Sequence, residues 1–481
     1  MCGLIGVVGT LDSAYDAFVG LMNLQHRGQD GAGILVVDGT TGEFSVQKGN
    51  GLVENIFSER SFRTLKGTAA IGHTRYATIG RRDPNMLQPF LDHSAGIAIG
   101  HNGNIVNCYK LRDELLKRSP EMTFASDSDS EVILKLLAEG LAGAEPNDTN
   151  LFAAIARAMD MLVGAYSIVG VLRDGSLFAF RDPDGIRPLM LGSKTVNGKT
   201  IYSLASESVA LHYLGFTVTE EIKAGEAVHI NADGRVVRKQ LRNNSWSPCM
   251  FEWVYFARVE SDMGNMSVYE ARFRLGLILA EELKRRGVDG DIVLPVPETS
   301  RIAAVALAEA MNLPFREVLI KNRYVNRTFI LDGQQSRQDA IRRKLFPIAS
   351  QFAGKRCIVV DDSIVRGNTA VQLVKLIRQA GAREVTIVST CPPISSPCYY
   401  GIDFPNPNEL IASGKTEAEI ATELGADRVI FQTVEGLKKA IGARSLCTGC
   451  LTQEYPTDVS EGEDFQNKRT VDRQKQEITT G

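Results

Sequence analysis

The sequence predicts an α+β layered domain in the first half of the chain, followed by an α/β domain built on a parallel sheet. Three observations lead to this fold class. The chain has 481 residues, too many for one compact core. Up to about residue 240, short apolar runs alternate with glycine-rich turns, and few helical patterns interrupt them. Beyond about residue 248, apolar strands alternate with helices, as in βαβ units.

In the first half, β-branched and aliphatic residues predict strands at 34–37 and 95–99. Apolar residues at helical spacing predict helices at 14–24, 131–139 and 151–162. A domain of this kind stacks its sheets in layers and packs the helices against them.

The segment 242–248 is polar and contains a proline, so we interpret it as a linker. We therefore expect domains at 2–240 and 248–456. The tail 457–481 is polar, charged and poor in aliphatic residues, which predicts disorder.

In the second half, helices are predicted at 268–286, 302–311 and 370–380, and strands at 291–295 and 356–360. Because open parallel sheets bind ligands at the carboxyl ends of their strands, we expect chemistry in the residues that follow position 360.

Composition favours an ordinary packed protein, with 44% hydrophobic and 23% charged residues. The net charge of −3 predicts no general attraction to nucleic acid or to acidic membranes. No run of about 18 apolar residues and no basic leader appears, so we expect a cytoplasmic protein. The eight cysteines are then expected to be catalytic, metal-bound or buried rather than disulfide-bonded.

Cys2 is placed to act as a nucleophile. Methionine aminopeptidases remove an initial methionine when a small residue follows, and removal of Met1 would give Cys2 both a thiol and a free α-amine. An unperturbed α-amine has a pKa of about 7.7 to 8.0, so near neutral pH it can accept the thiol proton. The same position also suits a cysteine that merely begins a buried strand, and the other motifs decide between these interpretations.

Three further motifs supply the groups that a glutamine site needs. Arg75 follows an apolar strand, and its fork of donors can bind an α-carboxylate through two hydrogen bonds. Asn102 and Gly103 end another strand and offer a side-chain amide and a backbone N–H as oxyanion donors. Asp127 and Asp129 lie where a helix begins, so one can cap the helix and the other can bind an ammonium group.

Together with the segments 24–33 (LQHRGQDGAG) and 181–188 (RDPDGIRP), these motifs resemble the glutaminase domain of N-terminal-nucleophile amidotransferases. The resemblance covers essentially the whole first half and implies the αββα layering of that family. Asp127 is assigned to the helix cap. The resemblance implies a nucleophile, an α-carboxylate ligand, an α-amine ligand and two oxyanion donors, which are Cys2, Arg75, Asp129, Asn102 and Gly103 in that order.

A second signature follows the strand at 356–360, where two aspartates lead through a short loop into a helix. Acidic side chains at a strand end can bind ribose hydroxyls and Mg²⁺, and the loop and helix start present N–H groups to a phosphate. A lone Asp-Asp pair would be a solvated turn, but this order of elements indicates phosphate binding. It resembles the loop with which type I phosphoribosyltransferases bind phosphoribosyl pyrophosphate (PRPP). The expected PRPP ligands are Asp361, Asp362, Ser363, Val365, Arg366, Gly367, Asn368 and Thr369.

Two segments upstream extend the resemblance to the amidophosphoribosyltransferase family. The basic segment that begins at Lys321 could be a solvated connection, but it resembles the mobile catalytic lid of that family. The segment 295–300 (PVPETS) resembles the loop on the pyrophosphate side. The lid adds three expected PRPP ligands, Lys321, Tyr324 and Arg327. The expected ligands of one Mg²⁺ ion per subunit are Thr299, Asp361 and Asp362.

Cys447 and Cys450 place two thiols on one turn, and Cys249 and Cys398 can complete a four-thiolate site. By chemistry alone, four cysteines suit either zinc or a 4Fe–4S cluster. The sequence around them resembles the iron–sulfur branch of the amidophosphoribosyltransferases, which implies the cluster; unliganded thiols are the alternative. The other cysteines are expected to be structural, namely Cys108, Cys357 and Cys391.

The resemblance implies an enzyme with two coupled sites. Glutamine and water would give glutamate and ammonia, and ammonia would displace pyrophosphate from PRPP to give phosphoribosylamine, the entry step of purine biosynthesis. Feedback inhibition by purine nucleotides and a homotetramer or dimer are also implied. A sugar-phosphate amidotransferase would lack the acidic loop at Asp361, and a PRPP-sensing regulator would carry a DNA-binding segment that the sequence does not show.

Overall fold

In the computed structural model of the chain, the described residues are 1–77, 83–143, 147–243, 245–264, 266–322, 345–404, 406–463, 466–467 and 471. No helix in these ranges is long and apolar enough to cross a membrane.

The first half folds as two antiparallel sheets. Its strands are β1 (Gly3–Val8), β2 (Gly31–Asp38), β3 (Glu43–Asn50), β4 (Ala69–Arg75), β5 (Phe90–Asp92), β6 (Ile97–Ile105), β7 (Gly164–Leu172), β8 (Leu177–Arg181), β9 (Met190–Val196), β10 (Lys199–Ala205), β11 (Thr217–Glu221), β12 (Glu226–Ile230) and β13 (Val236–Gln240). One sheet has seven strands in the order β11-β9-β10-β1-β4-β2-β3, and the other has six in the order β13-β12-β8-β7-β6-β5. Every residue of β1 and of β7 is buried, because both faces of these central strands are covered.

The helices of this half cover the outer faces of the sheets. They are α1 (Ser13–Asn23), α2 (Val53–Ile56), α3 (Ser61–Thr64), α4 (Cys108–Arg118), α5 (Asp129–Leu141), α6 (Asp148–Met161) and α7 (Ser208–Tyr213). Side chains such as Leu4, Val169 and Leu177 form the core between the two sheets. Helix α1 packs on the outside of the seven-stranded sheet, and α5 and α6 pack on the outside of the six-stranded one. The layers therefore follow the expected αββα order.

The second half is built on a parallel sheet. Its strands are β14 (Asp262–Met263), β15 (Met266–Ser267), β16 (Ile292–Pro295), β17 (Leu319–Lys321), β18 (Leu345–Pro347), β19 (Arg356–Asp361), β20 (Glu384–Ser389) and β21 (Arg428–Phe431). Its helices are α8 (Val268–Arg285), α9 (Arg301–Met311), α10 (Asn368–Gln379), α11 (Glu417–Leu424), α12 (Val434–Ile441) and α13 (Gly449–Thr452). Four strands pair in parallel in the order β16-β19-β20-β21, with apolar clusters on both faces. The carboxyl end of the inner strand β19 therefore lies in the middle of the ligand-binding edge.

The chain at 457–463, where composition indicates a disordered tail, packs on the second half. The hydroxyl groups of Tyr400 and Thr457 are hydrogen-bonded at 2.8 Å. Gly462 is buried against the Tyr399 ring, so that an added Cβ would lie 2.4 Å from it. A polar composition does not prevent order here, because the ring contacts and hydrogen bonds are supplied by the rest of the fold.

Candidate active sites

Cys2 lies in a pocket whose walls come from both halves of the chain. It immediately precedes β1, which lies between β4 and β10 in the seven-stranded sheet. The pocket is lined in part by Met1, Cys2, Arg75, Gly103, Asp129 and Gly401. Cys2, Arg75, Gly103 and Asp129 were predicted from the sequence. Met1 was not predicted to line the pocket, and no local motif marks Gly401.

Two hydrogen bonds fix the backbone of Cys2. Its N–H donates to Oδ1 of Asn102 at 3.1 Å, and its carbonyl oxygen accepts from Nε of Arg27 at 3.0 Å. Met1 is buried beside it, with its amine 3.5 Å from the carbonyl oxygen of Gly401, and burial lowers the pKa of this amine to about 5. While Met1 is attached, the nitrogen of Cys2 is a peptide amide and cannot accept a proton.

The two expected oxyanion donors, Asn102 and Gly103, are in β6 and lie next to Cys2. Asn102 is completely buried, and its Nδ2 has no hydrogen-bond partner among the described residues. Such an unsatisfied donor is costly in a folded protein unless a ligand accepts from it. Gly103 has a φ of 151°, and a Cβ there would lie 1.9 Å from the carbonyl oxygen of Ala165, so only glycine fits.

Among the charged residues that line the pocket, Arg75 and Asp129 have opposite signs. Arg75 ends β4 and is 5% exposed, and burial lowers the pKa of its guanidinium. Asp129 opens α5, where one carboxylate oxygen accepts from the N–H of Ile105 at 3.0 Å and the other lies 3.6 Å from Nδ1 of His101. Burial alone would raise the pKa of Asp129, but His101 and these hydrogen bonds hold it below its ordinary value. This pair of charges matches the carboxylate and ammonium groups of an amino acid.

The expectation that Asp127 caps α5 is wrong. The N-cap is Ser128, whose side chain accepts from the N–H of Ser130. Asp127 lies one residue earlier, and its exposed carboxylate instead pairs with Arg112 at 2.7 Å. Both residue types are good caps, so the local sequence could not decide between them.

A buried ion network that the sequence reasoning missed connects the nucleophile to the second half. Arg27 is completely buried and binds Glu207 at 2.5 Å and Glu252 at 2.8 Å. Glu252 also lies 3.5 Å from Arg187, and it opens a π-helical turn at Glu252–Phe256. Arg27 and Arg187 do fall within the two motifs that carry the family resemblance, which was the available signal. Nothing local indicates their partners, because Glu207 and Glu252 are far away in the sequence.

The acidic pair lies at the carboxyl end of β19, as expected. Asp361 and Asp362 are partly buried, and the N–H of Asp362 donates to the carboxylate of Asp361 at 2.9 Å. Their carbonyl oxygens accept from the backbone of Thr390 and Cys391, both at 2.9 Å. Burial raises the pKa of both carboxyl groups, and for Asp361 the neighbouring Asp362 raises it further. Two adjacent carboxylates in such surroundings favour a bound cation.

The residues after the pair form a loop that leads into α10. Ser363 donates to the carboxylate of Asp362 at 2.6 Å, and Gly367 has a φ of 78° at the N-cap. The first helical residues, Asn368 and Thr369, are exposed, so their N–H groups can reach a ligand. The other two expected ligands are held from nearby: Ile411 N–H donates to the carbonyl of Val365, and Arg366 pairs with Glu409 at 3.1 Å.

Thr299 lies in the loop between β16 and α9. Because β16 pairs in parallel with β19, with Pro295 opposite Val360, this loop leaves the same edge of the sheet as the acidic pair. Lys321 ends β17 and is exposed. The two other expected lid ligands, Tyr324 and Arg327, lie outside the described residues.

The structure brings the four cysteines expected as ligands into one buried region. Cys249 and Cys447 form an isolated parallel β-bridge, and the carbonyl of Cys450 accepts from the backbone of Ser395 and Ser396, just before Cys398. Burial raises the pKa of Cys249 to about 11, and Cys398 contributes to this shift. Burial likewise raises the pKa of Cys447 and Cys450, and Cys249 and Cys398 raise both pKa values further.

In the part of the chain that the structure describes, no three His, Cys, Asp or Glu side chains are grouped to bind a single metal ion. Tetrahedral zinc with bonds of about 2.3 Å would hold its sulfurs about 3.8 Å apart. A cubane cluster separates its thiolates more widely, by about 6 to 7 Å. The four thiols therefore lie in one region of the fold but are not close enough together to bind a single metal ion. Of the other cysteines, Cys108 and Cys357 are buried in α4 and β19.

Two domain families match the chain: residues 73–213 match the glutamine amidotransferase domain, and residues 275–399 match the phosphoribosyl transferase domain. A Pasteurella multocida relative named amidophosphoribosyltransferase is 42% identical over 468 residues, which cover 95% of this chain and 90% of the relative. One from Methanocaldococcus jannaschii with the same name is 42% identical over 480 residues, which cover 96% and 98%.

Among solved structures, the chain is similar to a glutamine PRPP amidotransferase from Bacillus subtilis complexed with ADP and GMP. The TM-score is 0.85 at 38% identity, over 95% of this chain and 98% of the other. A second structure, described as the allosteric regulatory enzyme of purine biosynthesis, has a TM-score of 0.86 at 38% identity.

Proposed function

The chain belongs to the amidophosphoribosyltransferase family, and from that premise we propose how its residues divide the reaction between two sites. The enzyme transfers nitrogen from glutamine to PRPP in purine biosynthesis. The observation that carries the residue assignment is the single pocket in which Cys2 lies with a buried guanidinium and a carboxylate.

In the glutaminase site, removal of Met1 turns the nitrogen of Cys2 into a free amine. That amine accepts the thiol proton, and the thiolate attacks the glutamine carboxamide to form a tetrahedral oxyanion. The oxyanion accepts hydrogen bonds from Nδ2 of Asn102 and from the N–H of Gly103. Because Oδ1 of Asn102 already accepts from the nitrogen of Cys2, Nδ2 of the same amide is left to face the substrate.

Substrate orientation comes from the two charges in the pocket, Arg75 for the α-carboxylate and Asp129 for the α-ammonium group. The protonated α-amine of Cys2 gives its proton to the leaving nitrogen, so collapse of the tetrahedral intermediate releases ammonia and leaves a thioester on Cys2. Water then cleaves the thioester to give glutamate, and the thiol is restored.

In the phosphoribosyl site, Asp361 and Asp362 would bind the ribose hydroxyls, and together with Thr299 they would hold Mg²⁺. The raised pKa values of the two carboxyl groups support this, since burial and, for Asp361, the neighbouring Asp362 disfavour negative charge there, which a bound cation would offset. Bound Mg²⁺ supplies the charge that the leaving pyrophosphate needs. The loop residues bind the 5-phosphate, namely Ser363, Val365, Arg366, Gly367, Asn368 and Thr369. The lid ligands are Lys321, Tyr324 and Arg327.

Cys249, Cys398, Cys447 and Cys450 are proposed to hold a 4Fe–4S cluster. Their donor set fits: four buried thiols gathered from three segments, with the buried Arg187 guanidinium close enough for the thiols to raise its pKa. The cluster would join distant parts of the second half and stabilise the fold.

The proposed domains are 2–240 and 248–456. A homotetramer or dimer, a cytoplasmic location and purine nucleotide regulation complete the proposal, and the ADP and GMP complex of the B. subtilis relative supports the last.

A steady-state assay tests the assignment. Pyrophosphate release from PRPP should require either glutamine or an ammonium salt, and with glutamine it should be matched by glutamate formation. Pyrophosphate release without a nitrogen source, or glutamate formation in a Cys2→Ala variant, would contradict the division proposed here.

A further inference from the structure

We propose that Tyr399 and Gly401, which belong to the second half of the chain, position the oxyanion donor Gly103 of the glutaminase site. The inference rests on the proposed role of Gly103. It assigns a positioning function to the segment 399–401, so that the glutaminase half does not complete its own site.

Gly401 packs directly on the backbone of Gly103. Gly401 is buried with a φ of 98°, and a Cβ there would lie 2.8 Å from the carbonyl oxygen of Gly103 and 3.1 Å from its carbonyl carbon. On its other side, Gly103 approaches Ala165 of β7 so closely that a Cβ would lie 1.9 Å from its oxygen. The oxyanion donor is therefore enclosed between a strand of its own sheet and a residue from the other half.

The next residue of β6 makes a second contact with the same segment. Asn104 is buried and donates from Nδ2 to the carbonyl oxygen of Tyr399 at 2.7 Å. The segment is held in turn by Arg187, whose Nε donates to the carbonyl of Tyr400 at 3.0 Å. Asn104 thus binds, and Gly103 packs against, a segment that is itself anchored, and these contacts fix the position of Gly103 next to its donating N–H group.

The chain that leads into the segment 399–401 starts at the acidic loop. The backbone N–H groups of Thr390 and Cys391 bind the carbonyl oxygens of Asp361 and Asp362. The chain from 390 to 401 therefore starts beside the proposed PRPP ligands and ends against the proposed oxyanion donor.

A Gly401→Ala variant tests the proposal. The added methyl must displace the Gly103 peptide, so kcat for glutamine hydrolysis should fall at least about tenfold, since loss of a whole donor costs about 10²- to 10³-fold. The KM for glutamine should stay within about twofold, because Arg75 and Asp129 provide the binding contacts. Synthesis with ammonium salts should be retained. Gly354→Ala is the matched control: Gly354 is exposed, has a φ of 73° and has no atom within 4 Å of an added Cβ.

An unchanged kcat, or a rise in KM alone, would overturn the proposal. A parallel loss of ammonium-dependent synthesis would also overturn it, because Gly401 would then act on the whole fold. If Gly401→Ala is insoluble, Asn104→Ala decides: it removes the bond to Tyr399 and should lower kcat in the same selective way, whereas a wild-type kcat would reject positioning. A wild-type enzyme without glutaminase activity would instead reject the proposed function.

Discussion

Replacing Arg27 by methionine should destabilise the protein more than any surface substitution of the same kind. The guanidinium is completely buried and binds two carboxylates, Glu207 at 2.5 Å and Glu252 at 2.8 Å. Methionine keeps the length of the side chain but leaves both carboxylates without this cation. Breaking a buried pair in this way costs about 3 to 5 kcal/mol. For a domain of about 200 residues, that corresponds to a melting temperature lower by about 10 °C.

The loss of stability in the Arg27→Met variant should also depend on pH, which allows a second, independent test. Burial alone would raise the pKa of Glu207, but His26 and Arg27 hold it far below its ordinary value in the folded protein. In the wild type, the Arg27–Glu207 ion pair therefore contributes its full stability above the unfolded carboxyl pKa of about 4.3. It loses this stability as the pH falls below that value toward the lower folded-state pKa. Without Arg27, His26 and the remaining hydrogen bonds alone oppose burial, so the pKa of Glu207 should be less depressed and protonation should relieve the variant as the pH falls from neutral. The gap in stability should be widest near neutral pH and should narrow toward pH 5.

Thermal melts followed by circular dichroism at pH 7.5 and pH 5 measure both effects. Arg285→Met is the matched control, since Arg285 is 70% exposed and pairs with Glu282 at 2.6 Å, and its melting temperature should equal that of the wild type. An Arg27→Met variant that melts within about 2 °C of the wild type at pH 7.5 would refute the energetic argument. A gap that is equal at both pH values would refute the assignment to buried carboxylates.

The remaining predictions concern the two sites and the cysteines. Cys2→Ala should lose glutamine-dependent synthesis and keep ammonium-dependent synthesis, and loss of both would show that the sites are not separable. Asp361→Asn and Asp362→Asn should each lower synthesis from either nitrogen source, together with PRPP binding; unchanged binding in titration calorimetry would reject the loop assignment. Cys450→Ser should give protein without iron, whereas Cys357→Ser should retain it, and equal iron contents in the two variants would reject the proposed ligands.

The sequence could predict features that depend on neighbouring residues. The strand at 356–360 and the helix after it were predicted closely, because a run of apolar residues, a glycine in the turn and apolar residues at helical spacing are all local patterns. The cap of α5 was assigned to Asp127 and is formed by Ser128, because the two residue types have nearly equal capping propensities and the outcome depends on backbone dihedrals.

Contacts between distant segments were predicted only where chemistry demanded a partner. A four-thiolate site requires all four cysteines to lie together, so Cys249 was expected to lie near Cys447. The β-bridge between them shows that these two segments meet. Nothing in the sequence pairs Arg27 with Glu252, since either charge alone suits a solvated surface. Gly401 was missed for a related reason: the need for glycine arises from the approach of Gly103, which is far away in the chain.

The position of Glu252 has a practical consequence for recombining this enzyme with other proteins. A chimera cut at the polar linker would give the transplanted glutaminase half two buried guanidinium groups, from Arg27 and Arg187, and would leave their shared counterion behind in the donor. The crossover point that preserves charge neutrality lies after the π-helical turn at Glu252–Phe256, inside what composition marks as the second half. A graft made there would carry the counterion with it, although the new acceptor would still have to supply a substitute for the 399–401 segment.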